Sequence, residues 1–113
     1  MDLSSSRIDG WTVATVTGEI DVATAPRLRG YLSDLLGDHG KPTHIIVDLS
    51  RVTFCDASGV GTFVGINRKA QWRASMVRIV IPMGRVRWVF RITGGTHDLS
   101  VYKTLSDAIA AGA

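Results

Sequence analysis

One cysteine, Cys55, stands in 113 residues. A lone thiol cannot close an internal disulfide or build a cysteine-rich metal site. Such a chain suits a reducing compartment, and a cytoplasmic protein is expected. Prolines number three against 12 glycines, which favours tight turns and close packing over a disordered tail. Long apolar runs are also missing. The longest, Ile79 to Gly84, falls far short of the ~20 residues that cross a bilayer as a helix. Met1 to Ser6 holds no basic segment leading into an apolar run, so neither a secretory leader nor a membrane partner is expected. The histidines are His39, His44 and His97. No pair of His, Cys or acidic residues has ligand spacing, which argues against a bound metal.

With 45% hydrophobic residues, the chain can enclose a real core as one domain spanning residues 1–113. Net charge is +3, but its distribution matters more. Asp2, Asp9, Glu19, Asp21, Asp34, Asp38, Asp48 and Asp56 lie in the first half. No acid occurs between Ala57 and His97, where Arg68, Lys69, Arg73, Arg78, Arg85, Arg87 and Arg91 are found. A one-sided basic surface attracts an acidic partner or nucleic acid through its long-range field, and a merely solvated rim accounts for the same charges.

Residues 3–8 and 11–17 flank Asp9-Gly10, a dipeptide suited to the positive φ values of a two-residue hairpin turn. Two antiparallel strands are expected there. Asp21 to Pro26 reads as a helix start, with Thr24 capping free amides and Pro26 in the first turn. Leu28, Tyr31, Leu32 and Leu35 follow at helical spacing, and Gly37 to Pro42 ends the helix. His44 to Leu49 is an apolar run of strand length, as for a strand covered on both faces. After a loop, Ser58 opens a helix with Val60, Phe63, Val64, Asn67 and Ala70 near its inner side. Met76 to Ile81 is a strand stopped by Pro82, and Gly84 to Thr93 a helix with Val86, Val89 and Phe90 inward. Leu99 to Tyr102 is a short strand. Thr104 then caps a last helix holding Leu105, Ala108 and Ile109, with Asp107 at the far corner of a capping box. The order ββαβαβαβα predicts an α/β domain whose mixed sheet opens with an antiparallel hairpin and continues in parallel, covered by about four helices.

Asp56-Ala57-Ser58-Gly59 stands out. A hydroxyl at a helix start can be a simple cap, contributing about 1 kcal/mol. The nearby glycines ask for more, since Gly59, Gly61 and Gly65 each cost a helix up to about 1 kcal/mol against Ala. Gly61, Gly65, Arg68 and Trp72 share one helical face, where bare backbone admits a close neighbour and Trp72 and Arg68 can anchor it. Packing of these glycines against the protein's own sheet is the alternative. As a catalytic nucleophile Ser58 lacks support. Asp56 takes the first glycine position of G-x-S-x-G, and no histidine is evidently placed as a base. Nor do Gly59-Val60-Gly61 form a dinucleotide fingerprint, because Val64 sits at the third glycine and nine residues separate Leu49 from Gly59. No enzyme is expected. Cys55 reads as a small apolar core residue, and Trp88 and Ile92 fall opposite the Val86/Val89/Phe90 stripe.

Taken together, the chain resembles the STAS domain family, in particular the small bacterial anti-sigma factor antagonists. The resemblance rests on Gly18-Glu19-Ile20-Asp21, on Thr24-Ala25-Pro26, and above all on Ile46-Val47-Asp48-Leu49-Ser50 with Val52-Thr53-Phe54-Cys55-Asp56-Ala57-Ser58-Gly59-Val60-Gly61. Thr93-Gly94-Gly95 and Ser106-Asp107-Ala108 match later signatures. Ala57 departs from the family's usual Ser or Thr. The resemblance implies a serine-kinase anti-sigma factor as partner, whose capture frees a sigma factor. It implies phosphorylation at Ser58 as the off-switch and a PP2C-type phosphatase as the reset. The implied docking face takes in Asp21, Thr24, Asp56, Ala57, Ser58, Gly59, Gly61, Thr62, Gly65 and Arg68. ATP and Mg²⁺ belong to the kinase, so the chain needs no cofactor of its own. A weak homodimer is compatible with this scheme. Two rival readings are a non-phosphorylated STAS subunit of a transport or stress-signalling complex, favoured by Ala57, and a nucleic-acid binder. The second lacks a stacking motif or recognition helix, so no nucleic-acid partner is expected.

Overall fold

The computed structural model describes residues 1–37 and 40–112. Asp38 and His39, the latter expected in a loop, lie outside them. Strand β1 (Asp2–Ile8) turns through Asp9 and Gly10 into β2 (Trp11–Ile20). Both turn residues have positive φ, 49° and 83°, as the two-residue hairpin requires. Helix α1 (Ala25–Leu36) leads to β3 (Ile45–Cys55), α2 (Ala57–Trp72) and β4 (Val77–Val80). Then come α3 (Arg85–Ile92), a short α4 (Gly95–Asp98), β5 (Ser100–Tyr102) and α5 (Leu105–Ala110). The strands lie in the order β1-β2-β3-β4-β5, with β1 antiparallel to β2 and every later pair parallel. The expected mixed α/β sheet is thus observed, with α4 added between α3 and β5.

Alternation along the parallel strands divides the core between two sheet faces. Ala14, Val16, Ile45, Val47, Leu49 and Ile79 join Leu28, Leu32, Phe63, Ile66 and Phe90 from α1, α2 and α3. Val13, Ile46 and Val80 point the other way and pack with Ala108 of α5. Because both faces are covered, the centre of β3 reads as an unbroken apolar run. Its outer half does not.

Two expectations need correction here. Ser50 to Cys55 is strand rather than loop, since β3 pairs with β2 all the way to Ile20↔Cys55. Register shifts between Thr15 and Thr17 and between Gly18 and Glu19 take up extra residues of β3. Exposed Ser50, Arg51, Thr53 and Phe54 interrupt the apolar pattern, which disguises the strand. Arg78 is the second correction, because it is 3% exposed and no part of a basic surface. Its guanidinium donates to the carbonyls of Ala108 at 2.7 Å, Ala111 at 3.0 Å and Gly112 at 2.9 Å. It also lies over Trp11, 4.5 Å from the ring centroid, so a cation in the interior finds both acceptors and a π face.

Candidate functional site

Parallel pairing carries β2 and β3 to a common edge. Ile20 and Cys55 are register partners, and the Asp56 amide donates to the Ile20 carbonyl at 3.2 Å. Each strand is then followed at once by an aspartate, Asp21 or Asp56, so two carboxylates from distant parts of the sequence share one rim.

Asp56 is the N-cap of α2, with extended backbone and its side chain turned onto the helix's first amides. Oδ1 accepts from the Ser58 amide at 2.9 Å and the Gly59 amide at 3.4 Å. The Ser58 hydroxyl donates to the same oxygen at 2.5 Å. That hydroxyl bond, helped by the two amides, holds the Asp56 carboxyl below the usual carboxylate range against the opposing effect of its burial. Ser58 is therefore not the cap that its position suggested. It sits inside the first turn, half-exposed, with its hydroxyl aimed back at the cap. A single residue joins β3 to α2, so the strand-to-helix turn is tight after all. Against a dinucleotide fingerprint there remains only the missing third glycine.

Asp21 repeats the device more loosely. Its Oδ1 accepts from the amides of Ala23 at 2.9 Å and Thr24 at 3.0 Å. Thr24 does not cap α1 with its side chain as expected. Its hydroxyl instead accepts from the Asp21 amide at 2.9 Å and donates to the Glu19 carbonyl at 3.0 Å, tying the turn to the end of β2. Pro26 does lie in the first turn of α1.

The three glycines of α2 divide sharply. Gly59 is buried, and a Cβ there would lie 2.5 Å from Cys55 Sγ and 2.7 Å from Ile20 Cγ2. It lets α2 close down on the sheet, so for Gly59 the packing alternative holds. Gly61 and Gly65 have no heavy atom within 4 Å of such a Cβ and face outward with Arg68 and Trp72. Thr62 is buried, its hydroxyl donating to the Ser58 carbonyl at 2.9 Å, so this side chain supports the turn from below. Ala57 is exposed beside Ser58. A shallow depression of about 340 Å³ runs along the bare face, lined by Ala57, Gly61, Val64, Gly65 and Arg68 of α2 and by Thr93, Gly95 and Asp98 opposite. The sequence does not place this far wall, although Thr93-Gly94-Gly95 stands out in it as a motif. Gly94 is left-handed at φ 80°, and Gly95 fits tightly against Val60 and Phe90.

Cys55 is buried beneath the junction. Burial, aided by the charge of Asp56, pushes its thiol up to about 12, so it stays protonated and unreactive at neutral pH. His97 is exposed on α4, and His44 donates no bond to Ser58; its Nδ1 accepts from the Met76 amide at 3.0 Å. The proton of Ser58 is directed to a carboxylate instead. The arrangement as a whole offers an oriented hydroxyl at a helix N-terminus, two carboxylates on the rim, and a bare helical face running away from them.

Known proteins resemble this chain along most of its length. The family described as STAS domain matches residues 3–108. A protein named anti-sigma-B factor antagonist from Staphylococcus aureus is 29% identical over 94 residues, covering 83% of this chain and 85% of that protein. The crystal structure of an anti-sigma factor antagonist from Mycobacterium paratuberculosis superposes with a TM-score of 0.85 at 28% identity, over 96% of this chain and 90% of that one. The Bacillus cell fate determinant SpoIIAA in its phosphorylated form gives 0.68 at 26% identity, over 96% of each chain. The chain belongs to the STAS domain family.

Proposed function

We propose that this protein is an anti-sigma factor antagonist that binds a serine-kinase anti-sigma factor and is switched off by phosphorylation of Ser58. One observation carries the reading. The Ser58 hydroxyl lies partly exposed in the first turn of α2, held on Asp56 at 2.5 Å, where a bare glycine face begins. Gly61 and Gly65 allow a partner backbone to come close, while Arg68 and Trp72 supply anchors at the far end. Asp21 and Asp56 each hold their turns through one carboxylate oxygen, and on this reading the second oxygen accepts from a partner's donors.

The switch follows from charge. A phosphoryl group brings about −1.5 to −2 charges. Esterification removes the proton that Asp56 accepts and sets two anions side by side, and the helix N-terminus offsets this by about 0.3–1 kcal/mol. A partner surface fitted to a neutral hydroxyl beside Asp56 must instead bury a dianion. A loss of about 3 kcal/mol at that interface weakens binding roughly a hundredfold. Ala57 leaves a methyl group where a second hydroxyl would compete, so one phosphate is expected. A PP2C-type phosphatase reverses the mark, and the setting is cytoplasmic.

Intact mass after incubation with a cognate kinase and ATP tests the reading. Wild type gains one phosphate and Ser58→Ala none, while Ser58→Ala keeps kinase binding and Ser58→Asp loses it. Equal binding by the two variants removes the switch.

A further inference from the structure

Helix α3 is apolar on two sides. Val86, Val89 and Phe90 pack inward on the core. Trp88 and Ile92, one turn apart, fall on the opposite side and are 53% and 58% exposed. Arg85 and Arg91 flank Trp88 one turn before and one turn after it, and both are exposed. Met83, in the β4–α3 connection, is 68% exposed, and Phe54 at the end of β3 is 47% exposed. Arg85 ties the patch together, since it lines separate hollows with Met83, with Phe54 and with Trp88. The connection and α3 close over the outer half of β3, leaving spaces of only about 180 and 40 Å³ there. No groove beside β3 is left for a peptide to fill, and the apolar side chains project outward instead.

The charge on this face is uncompensated. Arg87 donates to the Ile81 carbonyl at 2.6 Å and so serves the fold. Arg85 and Arg91 have no side-chain hydrogen bond or ion pair among the described residues. No acid occurs between Ala57 and His97, and Glu19 adjoins the patch only at its edge, across from Phe54 in the β2–β3 pair. An apolar cluster beside unpaired arginines is the composition of a surface that meets an interface. Its partner must be anionic and must also take up projecting apolar side chains. The phosphates of a nucleic acid meet the first demand but leave Met83 and Ile92 in water. An anionic bilayer meets both, because its headgroup phosphates lie directly over an apolar layer. An indole ring favours that boundary, where one end is wet and the other dry.

We propose that the outer face of α3, with Met83 before it, is a docking surface for an anionic lipid bilayer. Met83, Trp88 and Ile92 enter the boundary between headgroups and acyl chains, while Arg85 and Arg91 pair with lipid phosphates. The contact is shallow and reversible, since few side chains enter. It requires no spanning segment, and no helix of the chain is long and apolar enough to cross a membrane. None of these residues lines the glycine-faced depression of α2, so the contact is separate from the proposed kinase face.

Sedimentation of the whole chain with vesicles tests this. Vesicles of mixed phosphatidylglycerol and phosphatidylcholine are expected to carry the protein down, and vesicles of phosphatidylcholine alone are not. Added salt releases it. Arg85→Glu and Trp88→Ala each weaken vesicle binding about tenfold or more, and both side chains are exposed enough for far-UV circular dichroism to stay unchanged. Lipid shifts the tryptophan emission to the blue in wild type and in Trp72→Phe, but not in Trp88→Phe. Absence of sedimentation, equal binding to the two kinds of vesicle, wild-type binding by Arg85→Glu, or a blue shift that depends on Trp72 overturns the proposal. So does Trp88-dependent retention on polyglutamate or on duplex DNA without vesicle binding, which reassigns the face to an acidic protein or a nucleic acid.

Discussion

At the scale of single residues, the α2 glycines carry opposite consequences that identity alone does not reveal. Gly59→Ala places a methyl group 2.5 Å from Cys55 Sγ inside a packed junction. Overpacking of this kind costs about 1–3 kcal/mol, and the urea midpoint is expected to fall accordingly. Gly61→Ala and Gly65→Ala meet open space and relieve a helix of its poorest formers. Each is expected to raise stability by up to about 1 kcal/mol and, under the proposed function, to weaken binding of the kinase. A loss of stability in these two would show that the bare face is packed in solution. Asp56 offers a pH test. Its folded carboxyl lies below its unfolded value of about 3.9, so its contribution is present above that pH and lost as pH falls through the folded value. Asp56→Ala is expected to cost about 1 kcal/mol at pH 7, with the gap to wild type closing below pH 4 in denaturant titrations.

Among the elements, legibility followed how local the cause was. The hairpin at Asp9-Gly10 and the Thr104 cap of α5 are set by neighbours in sequence, and both are present, although among the described residues the Asp107 side chain does not return the capping-box bond. The Thr104 hydroxyl accepts from the Asp107 amide at 3.0 Å. Thr104→Ala is expected to remove about 1 kcal/mol, seen as faster exchange of the α5 amides. The outer half of β3 was hidden for a different reason. Ser50, Arg51, Thr53 and Phe54 are exposed around buried Val52 and Cys55, and two register shifts break the alternation by which a strand is recognised. A threonine before Ala-Pro suits a side-chain cap and a link to the preceding strand equally well, and Thr24 is the link. Only the position of the Glu19 carbonyl decides between them.

Across the whole molecule, charge tells most. The acid-free stretch is plain in the sequence, but it is not uniformly surface. Arg78 is drawn inside to hold the end of α5 against the second face of the sheet, whereas Arg68, Arg85 and Arg91 remain outside. Arg78→Ala is expected to cost at least about 2 kcal/mol, since three carbonyls lose a charged donor. Hydrogen exchange should show α5 loosening first, and unchanged α5 protection would rule this out. The sequence by itself determined the alternation of strands and helices, the family, and the Asp56–Ser58 junction, because periodicity, turn chemistry and helix starts are written in near neighbours. Tertiary structure alone decided which glycines are bare, which arginine is buried, and that β3 runs on to Cys55. Each of those depends on the register of strands brought together from distant parts of the chain.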